Sequence, residues 1–562
     1  MLAEIQPLVE AADFDEALKK LSRWKKEQLA AVIHHQAPDL NQIRFACMAS
    51  DLYDYAGRFL DAAFCIGLVA AEANRQVRGF LENTKVENYR SPIEYSRLVK
   101  QCCWALIHVA TVDYRKGLYP EALSLLDGIV KSALEALDRQ KMKLSESPDP
   151  AERASYRKFA IEGTQSRLWY GIGLIRRQGR KERLAREAFT RSILYASQGV
   201  ESHLARGDGD KVAFYDYSVG KAMGLGLGWI SYSEARLSES LAELVAARRL
   251  LVAAKGVRFI RAYIDVIYSR VLLSAYGDVP ERVDEAINTL ERVLPELASH
   301  DLYRHRGDYA MSLSRVARYM IRNRSNHASD PPVGDLYAVL QTIDDAKSSS
   351  WLHRHDRATL CNFLVLQSRI RRIQEDSDGA LQAASEAWQL GESIDFVKAD
   401  CLICLGEAHY FKGNYSTAIE HFRSARSAAE GSRKLRAASE LHLARAYSRS
   451  QNRAQAREHF QEWKISGAAV ENVFIRNLSA ELSAELNDFM VAADVESLMA
   501  ETHLNELRHW LAVEATRRWG KLKREDRERE FREQTGKDAK TIKRWLNRNF
   551  GESEGNGDAR GT

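Results

Sequence analysis

An all-α solenoid of stacked helix pairs is the fold class this sequence predicts, on three observations. Apolar residues recur at helical spacing along the chain, and turn signals separate helices rather than short alternating runs. Only 10 of the 562 residues are proline, so long helices run uninterrupted. A pattern of small, aromatic, alanine and bulky positions returns in phase over most of the length, the mark of an array that grows by stacking neighbours around one elongated core.

Composition narrows the class further. The chain is 45% hydrophobic and 28% charged, which argues against wholesale disorder. A net charge of +5 is too weak for the whole molecule to wrap nucleic acid. The 7 cysteines, an odd number without a small-scaffold pattern, fit a reducing compartment. The N-terminus places acidic residues where a signal peptide needs basic ones, and no stretch approaches 18 consecutive apolar residues. The sequence therefore predicts a cytoplasmic protein with no membrane association.

The repeats follow in chain order. Phe14, Ala17 and Leu21 read as the second half of a first unit, and Ser50, Tyr53, Gly57, Phe59 and Ala62 form the next. Ala110, Gly117, Tyr119 and Ala122 repeat the spacing, and Trp169, Ile172 and Gly173 open a further copy closed by Ala185 and Phe189. Weaker copies centre on Gly228 with Leu244, on Ser274 with Ala286 and Leu290, and on Ser368 with Ala380. The clearest pair is last: Leu405 and Gly406 precede Gly413, Tyr415, Ala418, Phe422 and Ala425, and Leu443 and Ala444 precede Tyr447, Ala456 and Phe460. The physical reason is close packing. A small side chain at the helix crossing lets two backbones approach, and the aromatic beside it fills the wedge toward the turn.

This pattern resembles the tetratricopeptide repeat, with Trp169, Ile172 and Gly173 reproducing its W-x-x-L-G opening. The resemblance implies eight or nine helix pairs over residues 1–465, within an array taken as 1–490. The last two copies lie 38 residues apart, and upstream spacings run nearer 45 to 63, against about 34 for the family, so early helices are longer or their connections carry insertions. It also implies a protein or peptide partner in a concave groove formed by the first helices, where Glu407 and Arg445, just after the packing Gly406 and Ala444, are candidate exposed contacts. A helical solenoid of another family would carry the same implication.

The C-terminus has a different character. Glu501 to Phe550 holds fourteen Lys/Arg against nine Asp/Glu, an excess comparable to that of the whole chain. A long helix is expected first, with Leu504, Leu507, Leu511 and Val513 as its apolar stripe, then two short helices broken at Gly536. Phe531, Gly536, Ile542 and Trp545 have the spacing of a helix-turn-helix DNA-binding unit, which the segment resembles over about 20 residues, with Arg532 where that family prefers a small residue. Asp538 is placed to cap the second helix. On it Ile542, Trp545 and Leu546 face inward, leaving Lys537, Lys540, Thr541, Arg544 and Arg548 as candidate contacts to duplex DNA. The unit is assigned to 491–550, with 551–562 a disordered tail. The alternative is a charged cap closing the array, since terminal repeats need a polar outer face.

Other signals are weaker than their structural explanations. Cys401 and Cys404 form a CxxC on a repeat helix, without the second pair a zinc site wants, and Cys102 and Cys103 read likewise as small buried thiols. The glycines from Gly224 to Gly228 imitate a phosphate loop with no strand before them, and close helix packing explains them better. His353, His355 and Asp356 lack a partner motif, and the acidic run near Asp208 reads as a loop. No catalytic constellation stands out, so neither enzyme activity nor a cofactor or metal is expected. The leading functional reading is a DNA-associated regulator that senses a protein or peptide through its superhelix. The alternative is a pure interaction scaffold or complex subunit, and a homo-oligomer is compatible with either.

Overall fold

In a computed structural model of the chain, the described residues run from 4 to 486 with several gaps, among them 24–37, 83–91, 205–211 and 325–332. Residues 487–562 lie outside them, and with them the expected C-terminal unit and its Lys537, Lys540, Thr541, Arg544 and Arg548. All regular structure among the described residues is helical, and none of these helices is long and apolar enough to cross a membrane.

After α1 (Phe14–Leu21), the helices are α2 (Leu40–Tyr55), α3 (Phe59–Gly67), α4 (Ala70–Leu81) and α5 (Pro92–Arg115). Helix α6 starts at Tyr119–Leu123 and continues through a π-helical stretch, Ser124–Val130, into Lys131–Ser145. Then come α7 (Pro150–Arg157), α8 (Glu162–Gln178) and α9 (Glu182–Leu204). Helix α10 is Val212–Lys221 with a second π-helical stretch, Ala222–Gly228, and Trp229–Ser233. The series continues with α11 (Leu237–Leu250), α12 (Arg258–Tyr276), α13 (Pro280–Leu297), α14 (Asp301–Arg324), α15 (Val333–Ser348), α16 (Ser350–His355) and α17 (Arg357–Ile373). It ends with α18 (Ser377–Gly391), α19 (Asp395–Phe411), α20 (Tyr415–Ala428), α21 (Arg433–Arg449), α22 (Arg453–Gly467) and α23 (Val473–Glu485). First helices α2, α5, α8, α10, α12, α14, α17, α19 and α21 each pack on the helix that follows, giving an α-solenoid of tetratricopeptide-like pairs.

One register rule generates most of these pairs. Twelve residues after Ser50, Ala110, Gly173, Gly228, Ser274, Ser368, Gly406 and Ala444 stands an alanine or serine, Ala62 and Ser240 among them, buried in every pair. Sixteen residues on stands a larger side chain in all but the Ser368 pair, as in Phe189, Leu244, Phe422 and Phe460. The geometry explains the choice. A Cβ on Gly406 would lie 2.5 Å from Phe422, and one on Gly173 2.8 Å from Phe189, so the glycine face is what admits the ring. Gly226 would meet Phe189 at 2.6 Å and Gly228 would meet Leu244 at 3.0 Å, which accounts for the phosphate-loop lookalike as helix packing. The wide upstream spacings come from long helices, 24 residues in α5 and 23 in α9 against 14 in α20, and from the additional helices α4 and α7 between first helices.

The turns share a backbone state. Seven residues after the small position the chain enters the left-handed region, at Gly413 with φ +84° and at three residues with side chains, Ala235 (+55°), Glu375 (+60°) and Gln451 (+61°). A left-handed L residue costs about 1–2 kcal/mol, against about 0.5–1 kcal/mol for the extra chain entropy of glycine. Glu375→Gly and Gln451→Gly, both at exposed positions, are therefore expected to stabilise the protein by about 0.5–1 kcal/mol each. The check is a rise in urea midpoint with an unchanged slope.

The end of the array returns on itself. Asn472 caps α23, its Oδ1 accepting from the N–H groups of Phe474 (3.0 Å) and Ile475 (3.2 Å). Helix α23 packs on α21 and reaches back to α12. The Glu471 N–H donates to the Ala235 carbonyl (3.0 Å), and the Ser238 N–H and Oγ donate to Glu471 Oε2 (2.8 and 3.0 Å). Arg476 pairs with Asp278 at 3.4 Å. The array is thus latched from α21–α23 to α10–α12.

Candidate functional site: the wall of first helices

First helices also pack on one another, α12 on α14, α14 on α17, α17 on α19 and α19 on α21, so they form a continuous wall. Its side chains reach from repeat to repeat through ion pairs and ring contacts. Near the start, Arg167 of α8 pairs with Asp51 of α2 and lies 4.4 Å from the Trp104 ring, whose Nε1 donates to His108 Nε2 at 2.9 Å. Burial works to raise the Asp51 carboxyl, but Arg167 and His108 outweigh it and hold the group well below the usual carboxylate range.

In the middle, the Trp229 ring of α10 has two guanidinium groups near it, Arg177 at 5.7 Å and Arg270 at 5.2 Å. Arg270 also sits 5.5 Å from the Tyr232 ring and 5.2 Å from that of Tyr309, and Lys434 of α21 lies 5.1 Å from Tyr232. Each such contact is worth about 0.5–2 kcal/mol, more when desolvated. Next to this group Arg306 donates to Tyr263 Oη and Asp356 Oδ2, both at 3.0 Å, and Tyr263 stacks on Tyr303 at 4.5 Å. Asp356 also caps α17, accepting from the Thr359 N–H and hydroxyl. That double use explains the residue that the sequence grouped with two histidines.

Toward the end, the two candidate contacts take different positions from the exposed ones expected. Glu407 is largely buried, with its side chain 16% exposed, and accepts from Arg372 Nη2 at 2.9 Å while His442 lies 3.8 Å away. Burial works to raise the Glu407 carboxyl, yet Arg372 and then His442 hold it at about 2. Burial pushes His442 down to about 4, against the pull of Glu407. Arg445 is half-buried and lies 4.6 Å from the Tyr410 ring. It lines a cavity of about 410 Å³ with Arg449, Leu478, Glu481 and Leu482, between α21 and α23. Arg445 thus borders a space that a ligand group can enter.

The sequence reading passed over Arg270, Trp229 and Lys434. Trp229 was within reach of it, because the position directly after the small residue, which yields Glu407 and Arg445, also yields Asp51, Trp229 and Arg369. Arg270 and Lys434 belong to repeats far apart in sequence, and only the closure of the array brings them together. The seven cysteines are all buried and free; Cys401 lies beside Cys361 of the neighbouring first helix, and burial pushes the Cys404 thiol up to about 11.

No family model matches this chain, and no curated protein matches it. Among solved structures it is similar to a Rap protein complexed with competence and sporulation factor, at 10% identity and a TM-score of 0.43, over 72% of this chain and 99% of that one. It is also similar to a monomeric IFIT1 mutant with m7Gppp-AAAA, at 14% identity and a TM-score of 0.37, over 86% and 95% of the two chains. Yeast Tom70 is similar at 11% identity and a TM-score of 0.32, over 81% and 99%.

Proposed function

We propose that this chain is a non-catalytic interaction solenoid that holds a peptide or protein segment against its wall of first helices. The observation that carries the reading is that wall itself, where arginines and aromatic rings from successive repeats form a continuous, chemically varied surface. Its polar groups are spent on positioning one another, as in Arg372–Glu407 and Arg306–Asp356, rather than arranged as nucleophile, base and orienting group. A photo-crosslinking residue at Arg445 is expected to capture a partner in cells, and one at the exposed Glu420 or Arg457 on the second helices is not. Capture from the second helices alone would assign binding to the opposite face.

The charge pattern of residues 501–550 supports a second element, duplex DNA engaged through Lys537, Lys540, Thr541, Arg544 and Arg548 as the output of peptide sensing. Each phosphate contact releases counterions and contributes about −0.9 to the slope of log K against log salt. The intact Lys540→Ala/Arg544→Ala/Arg548→Ala variant should therefore bind duplex DNA with a slope shallower by about 2 to 3, measured by anisotropy between 50 and 200 mM salt. A slope equal to that of the parent, or no salt-sensitive binding by the parent, leaves the scaffold reading in its place.

A further inference from the structure

Three cysteines gather where α17 and α19 pack on one another, Cys361 on the first and Cys401 and Cys404 on the second. Cys404 aims its thiol at the Val365 carbonyl, 4.0 Å away. Cys361 and Cys401 meet each other instead. Their sulfurs lie 3.5 and 2.6 Å from one point, the place a Cβ on Gly391 would take, and their thiols share a hydrogen bond. Gly391 ends α18, and a side chain there would wedge against both sulfurs. The same buried cluster offers the pair two more small neighbours, Ala358 and Ala387, so little has to yield for the sulfurs to approach. Both cysteines are fully buried.

The hydrogen bond makes the two thiols unequal. Cys401 donates to Cys361 and holds it below the ordinary thiol range against burial, with the Arg357 guanidinium adding to the pull. The same bond, and then burial, push the Cys401 thiol up. A nucleophilic sulfur thus touches a second, proton-bearing one, the arrangement in which one thiol reacts with an oxidant and its neighbour resolves the product.

We infer that Cys361 and Cys401 are a redox pair, which hydrogen peroxide converts into a disulfide that staples α17 to α19. The Cys361 sulfur attacks one peroxide oxygen; an S–O bond forms as the O–O bond breaks, and the departing hydroxide takes the Cys361 proton and leaves as water. The Cys401 sulfur then attacks that of Cys361; the S–S bond forms as the S–O bond breaks, and the second hydroxide leaves as water with the Cys401 proton. Two thiols are oxidised and one peroxide is reduced to two waters. Peroxide suits the site because it is scarcely larger than water and the sulfurs are buried, and a small dithiol reverses the change. The same two helices are already tied by the Arg372–Glu407 ion pair, so oxidation adds a covalent tie between consecutive first helices of the wall. The inference is independent of peptide binding.

The test uses the intact protein, reduced, freed of reductant and treated with a small molar excess of hydrogen peroxide. After denaturation and alkylation, thiol titration should show the loss of two of the seven thiols, and non-reducing peptide mapping should find Cys361 joined to Cys401. The bond should persist in Cys404→Ser, which separates Cys401 from its near neighbour, and be absent from Cys361→Ser. Oxidation should raise the urea midpoint and slow hydrogen exchange in α17 and α19, and dithiothreitol should restore both. A parent that oxidises its methionines while keeping all seven thiols overturns the redox pair. So does one that stops at sulfenic or sulfinic acid on Cys361, or one that joins either cysteine to Cys404 or to any other thiol. A Cys361–Cys401 bond that leaves exchange in α17 and α19 unchanged overturns the staple.

Discussion

Phe189→Ala is expected to cost about 3–5 kcal/mol and to produce the largest stability loss of any single truncation in the first half of the array. The ring is fully buried and is gripped from two sides, by Gly173 of its own pair and by Gly226 of the next first helix. Its removal therefore opens a cavity both within a repeat and between repeats. In a stacked array stability is the sum of repeat and neighbour terms, and this change subtracts from both. Urea unfolding followed by far-ultraviolet circular dichroism should show an early transition or a lowered midpoint. Gly226→Ala forces a methyl to within 2.6 Å of the same ring and should cost about 1–3 kcal/mol through overpacking. Combined with Phe189→Leu, which vacates part of that space, it should cost less than the sum of the single changes. Strict additivity in that cycle would show that the ring and the glycine are not in contact.

The second large effect is electrostatic. Arg372→Met is expected to cost about 3–5 kcal/mol at neutral pH, because it strands the Glu407 carboxylate in a largely buried position. Two groups determine how pH acts on the intact cluster. Glu407 is held at about 2, below its ordinary 4.5, so its contribution is complete above pH 4.5 and is lost as pH falls from there to about 2. His442 is depressed to about 4 from 6.5, so the unfolded chain takes up that proton first, and stability falls between about 6.5 and 4. Both act in the same direction, and the parent should weaken steadily on acidification below about 6.5. In Arg372→Met the burial of Glu407 is no longer opposed by its main partner and the carboxyl moves upward. The gap between parent and variant should then narrow as pH falls from 7 to 4.5. A gap that stays constant over that interval would falsify the ion pair as the source of the cost.

The fold was legible in the sequence because its governing interaction is local. Gly406 and Phe422 are sixteen residues apart and meet across one turn, and the same offset recurs at Gly173 and Phe189 and at Gly228 and Leu244. Such spacing survives degeneracy at other positions. The second π-helical stretch was not legible, since its glycines report close packing but not the extra residue accommodated per turn. Glu407 is largely buried rather than exposed for a simple reason. The position after the packing glycine points Glu407 along the wall, but whether it meets solvent depends on Arg372, which lies one first helix earlier. The latch was invisible altogether, because nothing between Ala235 and Glu471 records that the array closes on itself.

That closure bears on the order of assembly. A linear stack can nucleate at any repeat and fray from either end, with each unit answering only to its neighbours. The Ser238–Glu471 contact spans 233 residues, and bringing such a pair together from a flexible chain would cost about 5 kcal/mol of loop entropy. A few hydrogen bonds cannot offset that, so the intervening helices must already be stacked when the latch forms. On the ribosome, Ala235 and Ser238 wait for the synthesis of everything up to Glu471 before their partners exist. Once joined, an end that would have frayed becomes tied to the middle of the chain, and repeats α12 to α22 open together or not at all. Hydrogen exchange should register this as one shared opening free energy across those helices, which Glu471→Ala splits into a gradient falling toward α22.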